Sequence, residues 1–293
     1  MRKDALDLPG VLGLLAITLI LAGSQIVMKL TNEALSPVAQ AAVRSVLALV
    51  LVGGWVLVRR IDLGDLRRQL WPGVLLGVLF TVEFIGIYTA LDLTTVSRAS
   101  IIFYTMPMHL ALAAHFLIPG ERLTGKKLLG LVCAFLGVAV VVMDRGGGQA
   151  SLAGDLLAWL AAIGWAGIAL TVRVTRMSEA PPEAHLLWQL GLSAVLLTVA
   201  APFFGEMVRE FRPVHLWLVA YQVVLVAGVS FLFWFRLLKV YPASSIASFA
   251  FLTPGLSVTL AWLVLGEVLH WNVLAGLALV SLGIVLINRR VGV

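Results

Sequence analysis

Long apolar segments run through the whole chain, and they limit its possible folds more than any other feature. Each is about 20 residues long, the length that an α-helix needs to cross the hydrocarbon core of a bilayer. Ten can be delimited: 8–28, 37–58, 71–91, 97–117, 125–143, 152–172, 184–204, 214–235, 243–264 and 270–288. Hydrophobic residues make up 61% of the chain, whereas soluble domains are about 45–50% apolar. The sequence therefore predicts an all-α integral membrane protein with ten transmembrane helices.

Basic residues are divided unequally between the two sets of connections. Fifteen Lys and Arg residues fall on the side that holds both termini, and five fall on the other. Cytoplasmic connections of membrane proteins are enriched in Lys and Arg, so both termini are expected in the cytoplasm. Topology then explains the net charge of +6, and no nucleic-acid partner is implied. We expect a multi-pass protein of the plasma (inner) membrane, without a cleaved signal peptide, whose partners are the lipid bilayer and a small-molecule substrate.

The second half of the chain repeats motifs of the first. Four pairs align at an offset of 146 or 147: Pro107 with Pro254, Glu121 with Glu267, Gly130 with Gly276 and Gly137 with Gly283. The predicted units are a first repeat at 1–145, a linker at 146–151 and a second repeat at 152–293. Because five spans per repeat is an odd number, the two repeats would cross the membrane in opposite directions. Such inverted repeats are typical of secondary transporters that work by alternating access, although a duplication without transport would leave the same pattern.

The repeated motifs resemble a known family. They are LTPGLSVTLAWLVLGEVL, a final helix with the pattern Gly-x6-Gly, and YPASSIA ahead of both. Together they resemble the EamA branch of the drug/metabolite transporter superfamily, and the likeness extends over nearly the whole chain. The first half departs from the usual Thr-Pro-Gly with Met106-Pro107-Met108. The resemblance implies a secondary transporter with a central cavity between its repeats, often an exporter of small metabolites, with hydrophobic or aromatic amino acids as one class of cargo.

One acidic residue, Glu83, lies near the middle of the third segment. A charged side chain at the centre of a membrane helix costs about 2.5–3.5 kcal/mol on insertion scales, so Glu83 should face the bundle interior or a wet cavity. It is a candidate for proton or cation coupling and for binding a substrate ammonium, and the alternative is a hydrogen bond between helices. His109 is a second candidate for proton coupling, because histidine titrates near neutral pH.

Pro107 and Pro254 lie near the centres of the fourth and ninth segments. Proline has no N–H, so the carbonyls four residues before each one, at Phe103 and Ala250, would lose their helical partners. Freed carbonyls at membrane depth must meet water, a side chain or a ligand. The two prolines are therefore candidate hinges, and direct ligand contact or a packing kink are the alternatives.

Small polar and aromatic side chains on several segments could line a pocket for a small amphipathic solute. The candidates are Ser24, Gln25, Tyr88, Trp165, Ser230, Trp234 and Ser248. Arg44, about two turns into the second segment, is expected to extend to the interface or to join a structural pair, with Glu83 or a substrate carboxylate as other partners. The aligned glycines predict close packing of the fifth and tenth segments, against each other or against a second copy. Both a monomer and a homodimer remain open.

The remaining motifs argue against other classes of function. His109 and His115 are six residues apart, which is not the i, i+4 spacing of a metal-binding helix, and Cys133 is the single cysteine. No metal, cofactor or catalytic residue is expected, and without an ATP-binding motif the energy would come from gradients. Glu121 and Glu267, at the ends of matched segments, could cap helix N-termini. A flippase or carrier of lipid-linked or drug-like substrates is the alternative function.

Overall fold

The structure is a computed structural model that describes residues 7–143, 150–230 and 252–288, together with Phe233, Leu237, Val240 and Tyr241. These residues are helical apart from their connections and one isolated antiparallel bridge between Leu35 and Val208. The prediction of an all-helical protein is confirmed for this part of the chain.

The helices follow the predicted segments closely. The first half contains α1 (Leu8–Thr31), α2 (Pro37–Arg59), α3 (Leu66–Leu93), α4 (Val96–Phe103), α5 (Met106–Leu117) and α6 (Gly125–Met143). The second half contains α7 (Leu152–Val174), α8 (Pro182–Ala200), α9 (Val214–Ala220), α10 (Leu252–Leu265) and α11 (Trp271–Asn288). A π-helix, Tyr221–Ser230, continues α9, and short 3-10 helices lie at Arg176–Glu179 and Ala201–Phe204.

Seven described stretches are long and apolar enough to cross a membrane: α1, α2, α3, Val96–Leu117, α6, α7 and Pro182–Phe204. Three further predicted segments hold shorter apolar helices, at Val214–Ser230, Leu252–Leu265 and Trp271–Ile287. The structure therefore supports a membrane protein with several spans, and the total of ten remains a prediction.

The fourth predicted segment is two helices rather than one. The α4 helix ends at Phe103, α5 begins at Met106, and Thr105 Oγ1 donates to the Ile102 carbonyl over 2.6 Å at the break. Pro107 lies in the first turn of α5, where a missing N–H removes no helical hydrogen bond. Pro107 thus lies at the start of a new helix, whereas the sequence analysis placed it near the centre of a single one. Pro254 is a buried residue in the described start of α10.

Glycines bring α3 and α7 into backbone contact at the centre of the bundle. A Cβ atom on Gly86 would lie 2.8 Å from the Leu157 carbonyl oxygen. One on Gly164 would lie 3.2 Å from the Leu79 carbonyl oxygen and 3.3 Å from the Glu83 Cβ. Small residues permit this approach where a larger side chain would hold the helices apart. The contact places Glu83 at the junction of the two halves.

Two pairs of glycines hold α6 against α11, as the sequence predicted. A Cβ on Gly130 would lie 2.9 Å from the Gly283 carbonyl oxygen, and one on Gly137 would lie 2.9 Å from the Gly276 carbonyl oxygen. Gly130 thus contacts Gly283, which is the sequence equivalent of Gly137. Gly137 in turn contacts Gly276, which is the sequence equivalent of Gly130. Such reciprocal contacts are what a two-fold relation between two similar elements produces.

We expect Gly137→Ala to lower the free energy of unfolding by about 1–3 kcal/mol, because the new methyl group forces α6 and α11 apart. Gly54→Ala is the matched control, since a Cβ there meets nothing within 4 Å, and alanine is the better helix former. Thermal unfolding midpoints of the purified protein in detergent measure both changes. Equal midpoints for the two variants would contradict the close contact.

Candidate functional site

Glu83 lies on the inner face of α3 and is only 7% exposed. Its backbone packs against Gly164 of α7, and its Oε2 atom is buried without a hydrogen-bond partner. The sequence analysis offered a second role for Glu83, a hydrogen bond that joins two helices. The Oε2 atom makes no such bond. A buried carboxylate oxygen without a partner is costly, so its retention points to a group that arrives from outside the described residues.

Arg44 is buried on α2 at 6% exposure, and it differs from its sequence-based expectation. Its guanidinium carbon lies 4.6 Å from the centroid of the Phe84 ring, a cation–π distance. The Nε and Nη1 atoms are buried and have no hydrogen-bond partner. Arg44 thus points to α3 inside the bundle instead of extending to the interface.

The buried face of α2 concentrates unpartnered polar atoms. Five of the ten such side-chain atoms in the described residues belong to three α2 residues, Gln40, Arg44 and Ser45. Gln40 and Arg44 are four residues apart and lie on one face of the helix, and Ser45 follows Arg44 directly in the chain. We call these three residues together with Glu83 the α2–α3 polar cluster. The same spacing, in the apolar stretch PVAQAAVRSVLAL, was the sequence signal that could have identified Arg44 as more than an interfacial residue.

Tyr88 is buried, but its hydrogen bonds are already used. Its hydroxyl donates to Gln222 Oε1 over 2.8 Å, and its carbonyl accepts from Asn32 Nδ2 over 3.1 Å. Gln222 in turn donates to Thr31 Oγ1 over 3.3 Å. The structure thus gives Tyr88 a joining role between α1, α3 and the π-helix.

Two candidates on α1 also face inward and have partners. Ser24 donates to the Leu21 carbonyl of its own helix over 2.7 Å, and Gln25 Oε1 accepts from Ser100 Oγ of α4. Ser230 differs, because its buried Oγ has no partner in the described part of the chain. Among the small polar candidates that the structure describes, Ser230 is the one that keeps an unused hydroxyl.

Trp165 forms an aromatic surface beside the Glu83 contact. Its ring stacks on Phe103 of α4 with centroids 5.0 Å apart and an interplanar angle of 15°. Tyr104 meets it edge-on at 6.1 Å and 72°. Trp165 directly follows Gly164, so this surface adjoins the backbone of Glu83. The candidates Trp234 and Ser248 lie outside the described residues.

His109, the second candidate for proton coupling, lies in an aromatic setting on α5. Its Nε2 is 3.3 Å from Thr105 Oγ1, and its ring meets Trp159 and Phe135 edge-on at 5.9 and 6.1 Å. No group of three or more His, Cys, Asp and Glu side chains in the described ranges could hold a metal ion.

One end of the bundle is tied by charged residues from both halves. We call it the distal end, where α1 and α3 end and α4 and α7 begin. Glu267, in the connection after α10, accepts from the backbone nitrogens of Val96 and Ser97 over 2.6 and 3.0 Å. A carboxylate at this position stabilises the N-terminus of α4, because the unpaired N–H groups there carry partial positive charge. The capping role predicted for Glu267 is thus observed.

Two further ion pairs link the halves at the distal end. Arg98 and Asp155 form a two-pronged pair at 3.2 and 2.5 Å, with side chains only 5% and 1% exposed. Arg209 forms a similar but more exposed pair with Asp92 at 2.9 and 3.0 Å, and this hydrogen bond raises the pKa of Arg209. The guanidinium of Arg209 therefore stays charged throughout the physiological pH range.

At the opposite, proximal end, the residue aligned with Glu267 has a different partner. Glu121 pairs with Arg173 at the end of α7, and these side chains are 35% and 43% exposed. Two residues that are equivalent in sequence thus make unlike contacts at the two ends of the bundle. The structure is asymmetric at this level even though its motifs repeat.

Comparison with known proteins identifies the relatives of this chain. The sequence model of the EamA-like transporter family matches twice, over residues 8–143 and 152–289. The uncharacterized transporter YoaV of Bacillus subtilis is 25% identical over 277 residues, which are 93% of this chain and 94% of YoaV. The uncharacterized transporter YvbV of the same organism is 27% identical over 231 residues, 76% of this chain and 73% of YvbV.

The fold also matches a solved crystal structure. The TM-score is 0.66 at 19% identity, and the match covers 95% of this chain and 96% of the other. At that identity, the likeness extends to the fold alone.

We expect Asp155→Asn to lower the free energy of unfolding by about 3–5 kcal/mol, because it leaves the buried Arg98 guanidinium without its carboxylate. Glu210→Gln is the control: it breaks the pair with Arg212 at 3.2 Å, whose side chains are 67% and 80% exposed, and such pairs contribute less than about 1 kcal/mol. Thermal unfolding in detergent compares the two. A loss no larger for Asp155→Asn than for the control would refute the buried tie.

Proposed function

Because the chain belongs to the EamA-like transporter family, we propose that it is a secondary transporter that exports small organic solutes, hydrophobic or aromatic amino acids above all, across the plasma (inner) membrane. The observation that carries this proposal is the match of one family model to each half of the chain separately. Two copies of one unit around a central site are the architecture from which alternating access arises. In this proposal both termini are cytoplasmic and the halves are inverted repeats.

The contact between α6 and α11 supports the inverted repeat. A two-fold relation between the halves requires that, if Gly130 meets Gly283, then Gly137 meets Gly276. Both contacts are present at 2.9 Å from would-be Cβ atoms. The same relation can hold in both conformations of a transporter, so these helices suit a role as the fixed frame around which other helices move.

The unlike ends of the bundle support alternating access. Glu267 closes onto α4 at the distal end, whereas the aligned Glu121 forms a partly exposed pair with Arg173 at the proximal end. Two inverted repeats produce two transport states when equivalent contacts exchange between the two ends. With cytoplasmic termini, the distal end and its buried Arg98–Asp155 pair would face the outside in this proposal.

The interior supports a small amphipathic solute. The α2–α3 polar cluster supplies one positive and one negative group, and Trp165 with Phe103 supplies a stacked aromatic surface nearby. Apolar walls with a few placed polar groups are typical of sites for small molecules. A lipid-linked or drug-like cargo would use the aromatic surface without needing the two charges.

Counterflow in proteoliposomes tests the proposed cargo. Vesicles are loaded with unlabelled amino acids, and uptake of each labelled amino acid is followed with and without a pH gradient. We expect uptake of hydrophobic and aromatic amino acids well above that of protein-free vesicles. Absence of uptake for every amino acid would reject this cargo class and leave lipid-linked and drug-like compounds to be assayed in the same vesicles.

In the same assay, Glu83→Gln should abolish transport or remove its response to the pH gradient, because the amide can neither carry a proton nor hold an ammonium group. Glu179→Gln, at an exposed site, is the control. If His109→Gln removes the pH response and Glu83→Gln leaves it intact, proton coupling belongs to His109.

Pro107→Ala should lower the maximal transport rate more than the affinity, because alanine allows α4 and α5 to join and removes the proposed hinge. Pro182→Ala is a matched control, since Pro182 also lies in the first turn of its helix. Initial rates over a range of substrate concentrations separate the two effects. A loss of affinity at an unchanged maximal rate would reject the hinge.

A further inference from the structure

The α2–α3 polar cluster contains a basic and an acidic side chain that do not satisfy each other. The Nε and Nη1 atoms of Arg44 and the Oε2 atom of Glu83 are buried without a hydrogen-bond partner. The two side chains are neighbours in space, because Arg44 lies 4.6 Å from the ring centroid of Phe84, the residue that follows Glu83. A structural ion pair would bring these atoms into contact, as in the buried pair of Arg98 with Asp155 at 2.5 Å. The cluster is thus an open pair, with donors on one helix and an acceptor on the other.

Local packing holds the two charged groups in place. The Arg44 guanidinium lies against the face of Phe84, 4.6 Å from its centroid. Phe84 is itself fixed between Phe80 and Tyr88, with ring centroids 4.0 and 5.4 Å away. On the other side, Gly164 packs against the Glu83 backbone. The stacking occupies the face of the guanidinium, and its Nε and Nη1 donors keep no hydrogen-bond partner; their planar arrangement matches a carboxylate.

Charge balance selects the kind of ligand that fits. A cation or an anion alone would satisfy one pole and leave the other unpaired in an apolar setting, which is costly. A neutral apolar solute would satisfy neither. A zwitterion adds no net charge and supplies a carboxylate for the guanidinium and an ammonium for the carboxylate.

We propose that Arg44 binds the carboxylate and Glu83 the ammonium group of a zwitterionic solute, so that these two residues set the specificity of the transporter for free amino acids. This inference rests on the proposed function for the transport of that solute, and on the polar cluster alone for its recognition. Gln40, one turn before Arg44 on α2, and Ser45, next to Arg44 in the chain, have further buried polar atoms without partners.

Binding is measured on the purified full-length chain, independently of transport, as a ligand-dependent rise in the thermal unfolding midpoint. Four probes separate the groups: L-phenylalanine, L-phenylalaninamide, phenethylamine and 3-phenylpropionate. For the wild-type protein we expect L-phenylalanine to bind about 10-fold or more tightly than each of the three analogues, since each lacks one charged group that the cluster pairs.

Two single variants then assign the poles. Arg44→Gln should bind L-phenylalanine no better than L-phenylalaninamide, and Glu83→Gln should bind it no better than 3-phenylpropionate. Arg44→Lys keeps the charge without the planar fork, so it should retain a reduced preference for the carboxylate. The matched control is Arg59→Gln, because Arg59 lies on the same helix, 4.8 Å from the centroid of the Trp55 ring, but is exposed. It should bind all four probes as the wild type does.

The double variant Arg44→Gln/Glu83→Gln keeps the test decisive if a single variant fails to fold. Without ligand its unfolding midpoint should equal or exceed that of the wild type, because two unpartnered buried charges are gone. Its midpoint should not respond to L-phenylalanine. A purely structural pair predicts a clear loss of stability instead.

The outcomes separate this inference from the proposed function. Wild-type protein that does not respond to L-phenylalanine, or an Arg44→Gln variant that still prefers it to the amide, overturns the inference. Counterflow of phenethylamine at the rate of L-phenylalanine also overturns it and leaves transport standing. Selective binding without counterflow supports the recognition site and rejects the transport proposal.

Discussion

The constraint on which this structure depends is that peptide groups in hydrocarbon must find their partners within the protein. It turns each apolar segment into a helix, and it leaves the helix ends as places where partners must be supplied. Glu267 meets that need for α4 by accepting from Val96 and Ser97, and it links the two halves in doing so. This contact between the two halves thus arises because the free N–H groups at the start of α4 need acceptors.

The buried polar groups fall into two classes when their partners are compared. At the distal end, Arg98 and Asp155 satisfy each other, and Tyr88 satisfies Gln222. In the α2–α3 polar cluster, Arg44 and Glu83 are equally buried and remain open. Burial alone does not distinguish these two classes; the presence or absence of a hydrogen-bond partner does.

Repetition in the sequence coexists with asymmetry in the structure. The glycines of α6 and α11 make reciprocal contacts, as two equivalent elements should, whereas Glu121 and Glu267 have unlike partners. Where glycines bring two helix backbones into contact, the relative position of the helices is fixed, because no larger side chain fits between them. Carboxylates on connections can exchange partners, so they are the positions where two equivalent halves can differ.

The sequence by itself determined the features that depend on local pattern: the apolar helices, the glycine pairing of α6 with α11, and the burial of Glu83. It did not reveal the break at Tyr104–Thr105, because Pro107 is compatible both with a kinked helix and with a helix start. It left Arg44 open between the interface and a partner inside the bundle and did not reveal its position over Phe84, since helix rotation is decided by neighbours. Only the tertiary structure brought together Arg98 and Asp155, 57 residues apart, because partners across a bundle are set by packing and leave no periodic signal in the chain.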